Sequence, residues 1–210
     1  FVLKEVLVQG RQETNAEDIL NAIGMRRGDP MLDFNADEVR KKIEALGWVE
    51  TASVERKLPD HIIVRLRERV PAAIWQNDKE YILVDRNGVE ITKEKIDKYA
   101  HLKVLTGKDA PKHALSLLNI IEQVPDLKEH VIGAAWVSDR RWTLHLKDKI
   151  SVRLPADNPQ LAWRKLALMI QDHDLLNRDI ELIDLRQPDR TIIRMTGSGA
   201  KRILGDEENA

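Results

Sequence analysis

With 210 residues, 42% of them hydrophobic, the chain is long enough for two small domains and has the composition of a globular protein. Its 34 basic and 35 acidic residues leave a formal charge of −1, so no overall field steers it toward nucleic acid and any binding patch must be local. The absence of cysteine excludes a disulfide framework, a thiolate metal site and a cysteine nucleophile.

The chain opens on a rough strand in which Val2, Val6 and Val8 interleave with Lys4 and Gln9, stopping at Gly10. Thr14-Asn15-Ala16-Glu17 has capping-box spacing, Ile19, Leu20 and Ile23 follow at helical intervals, and Gly24 supplies a C-cap. Asn35-Ala36-Asp37-Glu38 repeats the cap logic for a second helix, with Val39, Ile43 and Leu46 on one stripe and Gly47 as terminator. Trp48 then reads as a core plug, and Ala52 and Val54 alternate inward along a strand. After the Leu58-Pro59-Asp60-His61 turn, Ile62, Val64 and Leu66 share one strand face, while Arg65, Arg67 and Arg69 share the other. With Glu50, Glu55 and Glu68 interspersed and no aromatic residue between the arginines, that row reads as a solvated sheet face rather than a nucleic-acid patch.

Arg69 to Gly88 is the hinge of the chain. Pro71 removes a ladder donor and suits a crossing between sheets, and Asp85-Arg86-Asn87-Gly88 is a reverse turn in which Asn-Gly supplies positive φ angles. Short strands are expected at 74–76, 81–84, 89–91 and 102–105, then a helix with Leu115, Leu118 and Ile121 on its stripe. A meander follows over 131–137, 142–146 and 150–154. Pro159 opens a second helix capped by Asp157 or Asn158, and Leu161, Trp163, Leu166, Leu168, Met169 and Ile170 make it broadly apolar, so it should be buried between other elements. Strands at 180–185 and 191–195 close the folded part, and residues 197–210 read as a disordered tail. The fold class is therefore α+β. A β-α-α-β-β unit over 1–70 precedes a larger β-rich domain over 71–196 with an antiparallel or mixed sheet and two main helices.

No stretch approaches the roughly 20 apolar residues that span a bilayer, and no signal peptide opens the chain. Phe1 stands where an initiator Met would, inside a strand-like pattern, so the chain reads as an excised or processed fragment whose targeting segment, if it had one, has been removed. The six histidines show no zinc-helix spacing, and no Walker loop, dinucleotide turn or nucleophile elbow is present; Gly197-Ser198-Gly199 precedes no convincing helix. The balance favours a binding or scaffolding protein with no cofactor, no metal, no nucleic acid and no small-molecule substrate.

The first unit resembles a POTRA domain, through its Val8-Gln9-Gly10 strand end, Leu46-Gly47-Trp48-Val49 and the Leu58-Pro59-Asp60 hairpin. Val70-Pro71-Ala72-Ala73-Ile74-Trp75, Val84-Asp85 with Gly88, Leu105 with Gly107, Arg140-Arg141-Trp142 and Asp184-Leu185-Arg186 then occur in the order found in the bacterial FtsQ/DivIB cell-division family. The resemblance implies a non-enzymatic, single-pass inner-membrane protein whose POTRA and β domains lie in the periplasm at the septum. It implies as partners the small coiled-coil proteins FtsB and FtsL, and other division proteins through the POTRA domain and a transmembrane helix missing here.

Edge-strand addition is the physical route the last strand suggests, since an open strand presents unpaired N–H and C=O groups. Thr191, Ile192, Ile193, Arg194 and Met195 form that candidate edge, and the resemblance places the FtsB contact at this end of the β domain. Arg140, Arg141 and Arg186 complete the candidate partner-binding set, the first two as charge pairs for an acidic partner helix. Alternation puts Ile192 and Ile193 on opposite faces, so at least one of them is expected in the core. The segment Gln187-Pro188-Asp189-Arg190 lacks the aromatic residue of enterobacterial members after Asp-Leu-Arg. Two alternatives stay open: a POTRA module of an outer-membrane assembly or secretion system, and a cell-wall enzyme with partners distant in sequence.

Overall fold

The computed structural model describes residues 1–197; the segment expected to be a tail lies, beyond Gly197, outside the described residues. Two compact units are formed, Phe1–Pro71 with Glu90–Thr92, and Ala72–Val89 with the chain from Lys93 onward. The fold is α+β, with a three-stranded sheet and a nine-stranded sheet.

In the first unit, β1 (Glu5–Gln9), α1 (Ala16–Ile23), α2 (Ala36–Glu44), β2 (Val49–Lys57) and β3 (His61–Glu68) follow in the expected order. The sheet runs β1-β3-β2, with β1 parallel and β2 antiparallel to β3. Ile62, Val64 and Leu66 on β3 meet Ile19, Ile23, Val39 and Ile43 from the two helices in one core. At the start of α1 the cap is Asn15, whose side chain accepts from the Glu17 amide. Thr14 is not the cap: its hydroxyl is buried and donates to Glu68 at 2.6 Å, because the Glu68 carboxylate also gathers the amides of Gln12, Glu13 and Thr14. Gly24 takes the left-handed C-cap geometry, φ 67°. Gly47 does not terminate α2, which ends on Ala45 in right-handed geometry; a Cβ at 47 would lie 2.0 Å from the Ile91 carbonyl oxygen. Trp48 is half-buried rather than a core plug, and the buried residue beside it is Val49.

The larger sheet is ordered β12-β11-β10-β9-β8-β7-β4-β5-β6. Its strands are β4 (Pro71–Asn77), β5 (Glu80–Asp85), β6 (Glu90–Thr92), β7 (Lys103–Thr106), β8 (Val131–Val137), β9 (Arg141–Leu146), β10 (Ser151–Arg153), β11 (Ile180–Asp184) and β12 (Ile192–Met195). It is mixed: β4-β7, β7-β8 and β10-β11 are parallel, while β8-β9, β9-β10 and β11-β12 are antiparallel. The two main helices are α3 (Ala114–Ile121) and α5 (Pro159–His173), with a single turn, α4 (Pro125–Lys128), after α3.

One face of this sheet packs on those helices, with Trp142, Leu144, Val152, Ile183 and Leu185 meeting Leu117, Ile121, Trp163 and Leu166. The Trp163 indole N–H reaches the Ile121 carbonyl at 3.4 Å. Three local expectations change here. Within the Asp85–Gly88 turn only glycine takes positive φ, 79°, because the Asp85 carboxylate accepts from the Asn87 and Val89 amides and holds the turn without a left-handed Asn. On α3, Leu115 is exposed while Leu117 and Ile120 are buried. On α5, only Trp163 and Leu166 are fully buried, and Leu161 and Leu168 are 59% and 62% exposed, since the helix covers a sheet from one side and is not sandwiched. Asn158 occupies the α5 cap position but makes no side-chain cap bond. Among the described residues no helix is long and apolar enough to cross a membrane.

Candidate functional site: the terminal strand and its arginines

β12 is the last strand of the larger sheet and pairs on one side only, antiparallel to β11, with Ile192 opposite Asp184, Ile193 opposite Ile183 and Arg194 opposite Leu182. Thr196 donates its amide to the Asp179 carbonyl at 2.8 Å. Strand alternation therefore turns the amides of Arg194 and Ile192 toward β11, and those of Ile193 and Met195 toward the unpaired edge. The side chains of Ile192 and Ile193 are 47% and 38% exposed. Neither isoleucine is core, contrary to the expectation for at least one of them. The strand lies at the rim of the sheet.

The arginines come from neighbouring strands. Arg186 forks onto Asp184, Nε to Oδ1 at 2.8 Å and Nη2 to Oδ2 at 2.6 Å, and its backbone amide donates to the same carboxylate at 3.1 Å. Arg153 approaches from β10 at 3.5 Å. The Asp184 carboxyl is held below the ordinary carboxylate range, first by the Arg186 hydrogen bond and also by its backbone amide and the charge of Arg153, against the opposing effect of burial. Arg186 is raised by the same pairing. Arg194 reaches Glu181 at 3.6 Å, Thr191 donates to the Met169 sulfur at 3.7 Å, and Arg190 bonds Gln187. Among the described residues Arg140 and Arg141 form no ion pair, Arg140 being exposed and Arg141 half-buried in the turn and first residue of β9.

Two hollows flank this group. One, of about 580 Å³, is bounded by Arg141, Thr143, Arg153, Glu181, Arg186 and Arg194. The other, of about 460 Å³, is bounded by Arg140, Arg141, Leu161, Lys165, Pro188 and Thr191. Arg141 and Arg186 line both. The structure thus brings Arg140, Arg141, Arg186, Thr191 and Arg194 to the rims of two adjoining hollows, next to the exposed isoleucines of β12. Sequence reasoning missed Arg153 and Lys165. Arg153 was readable from parity, two positions after Ser151 on a strand whose Val152 faces the core; Lys165 was hidden in a helix read as buried throughout. Among the described residues no three His, Asp or Glu side chains converge to hold a metal ion.

The fold is thus a β-α-α-β-β module followed by a β-rich domain whose terminal strand pairs on one side only. The family model for the FtsQ-type POTRA domain matches residues 1–69, and that for the C-terminal region of cell division protein FtsQ/DivIB matches residues 73–186. β12 lies just beyond the matched segment. The chain is 34% identical over 202 residues to cell division protein FtsQ of Rhizobium meliloti, covering 96% of this chain and 65% of that protein. It is 32% identical to the proteins of the same name from Rickettsia bellii and Caulobacter vibrioides, in each case over 92% of this chain, and over 72% and 64% of the relative. The chain belongs to the FtsQ/DivIB family of bacterial cell-division proteins and spans about two thirds of the length of these relatives.

Proposed function

We propose that this chain is a non-enzymatic scaffold of the division machinery that captures an extended segment of FtsB, in complex with FtsL, by strand addition to β12. The observation that carries the reading is the rim position of β12, with the Ile193 and Met195 amides turned away from β11 and two exposed isoleucines beside them. Main-chain bonds to that edge supply affinity, and acidic side chains of the partner meet Arg140, Arg141 and Arg186. Residues 1–70 act as a POTRA domain and 71–196 as the partner-binding β domain. The whole protein is a single-pass inner-membrane protein with this part in the periplasm at the septum, and other division proteins engage the POTRA domain and the membrane helix.

Calorimetry of the chain with the periplasmic segment of FtsB from the same organism tests the reading, with Ile193→Pro as comparison. Proline there removes an outward donor and leaves the ladder to β11 intact. Binding by the parent and loss in the folded variant is the expected result. Equal binding by both moves the contact away from β12, and binding by neither overturns the partner assignment.

A further inference from the structure

The first unit carries a second open edge. β1 is the terminal strand of the order β1-β3-β2, and its pairing runs to β3 alone over Glu5–Gln9. Just before it, the chain's own segment 28–31 already lies along the same side: Leu3 donates to the Asp29 carbonyl at 2.9 Å, Gly28 donates to the Leu3 carbonyl at 2.7 Å, and Val2 forms an antiparallel bridge with Pro30. This added segment stops where Arg26 and Arg27 turn the chain away toward α1. A groove of about 640 Å³ continues from that point between β1 and the C-terminal half of α1, with Val6, Leu20, Met25, Arg26 and Arg27 among the residues that bound it.

The groove has a mixed lining, with Leu20, Val6 and Met25 as its apolar part, and an uneven charge. Leu20 is 48% exposed, and Val6 and Met25 are half-buried. Lys4 is held by Asp60 at 2.7 Å, and Glu5 lies 3.3 Å from the His61 ring. The exposed guanidinium groups of Arg26 and Arg27 have no ion pair among the described residues. One end of the groove, which Lys4, Glu5 and Asn21 also line, is thus cationic and lies beside the open edge of β1.

We infer that this groove binds an extended acidic peptide, which adds to β1 as a fourth strand, sets apolar side chains against Leu20 and Met25, and places a carboxylate on Arg26 and Arg27. It continues the row begun by 28–31, whose antiparallel sense puts the carboxylate at the C-terminal end of the peptide. The inference is independent of the β12 reading, since it concerns a different sheet.

The test is a titration of the ¹⁵N-labelled 210-residue chain with acetyl-Val-Thr-Val-Thr-Val-Glu-Glu-amide and with its Gln-Gln analogue. Amide shifts confined to the β1 edge and the 20–27 segment are expected, with the Glu-Glu peptide binding about tenfold more tightly, as one desolvated charge contact allows. The Arg26→Ala/Arg27→Ala variant should bind both peptides alike, and Ile193→Pro should change nothing. Absence of shifts along Lys4–Gln9 at millimolar peptide, equal affinity of the two peptides for the parent, or shifts confined to β12 would each overturn it.

Discussion

Arg65 and Arg67 on β3 resemble Arg140 and Arg141 at the head of β9 in sequence and differ in their surroundings. On the small sheet the register sets Ser53 opposite Arg65 and Thr51 opposite Arg67, and carboxylates of the same strand reach both cations: Glu55 meets Arg65 at 3.0 Å and Glu50 meets Arg67 at 3.1 Å. Glu68, at the end of β3, is likewise committed to the 12–14 loop. At the outer end of the large sheet the one buried carboxylate, Asp184, is shared between Arg153 and Arg186, and Arg140 and Arg141 are left without a partner among the described residues. The difference lies in the acids: the strand beside Arg65 and Arg67 brings a carboxylate to each cation, and none reaches Arg140 or Arg141 among the described residues.

The comparison breaks first at Asp184. Asp184→Ala strands two guanidinium groups and should cost about 2 kcal/mol in urea unfolding, below the full value of a broken buried pair because both arginines are partly exposed. Glu68→Ala leaves three amides and the buried Thr14 hydroxyl without an acceptor and should cost about 1–2 kcal/mol by the same measurement. Both carboxyls are held below their ordinary values: Asp184 by Arg186 first, and Glu68 with burial opposing and the amides of residues 12–14 prevailing. Their stabilisation is therefore fully present above the usual carboxylate range near about 4, and is lost as the pH falls through the lowered folded values. The fall in urea midpoint as the pH drops from the usual carboxylate range, near about 4, through the lowered folded values should be shallower in either variant than in the parent.

Binding tests sharpen the other side. Ile193→Pro should weaken FtsB binding at least tenfold, about 1.4 kcal/mol, at unchanged stability. Arg140→Ala/Arg141→Ala should lower the association rate several-fold at low salt, an effect that shrinks as salt is added, as stopped-flow mixing would resolve. Arg65→Ala should be nearly silent, below about 0.5 kcal/mol in stability and without effect on binding, because its ion pair is exposed on both sides. A large loss of binding in Arg65→Ala would undo the distinction between the two rows.

Much of this was legible in the chain itself. Periodicity and caps are local physics, so the β-α-α-β-β order, the Asn35 and Gly24 caps, the meander of β8 to β10 and the last strand at 192–195 all follow from neighbours in sequence. The sequence by itself determined where strands and helices form and which face of β3 is apolar. Tertiary structure decided what each face meets. Thr14 gave up its capping role because Glu68, 54 residues away, reaches its loop. Leu161 and Leu168 stay exposed because α5 packs on one side of a sheet, and Ile192 and Ile193 because β12 lies at its rim. Arg153 joined the site because the parallel register of β10 with β11 sets it opposite Asp184. Strand order and register depend on contacts between residues far apart in the chain, and no local pattern encodes them.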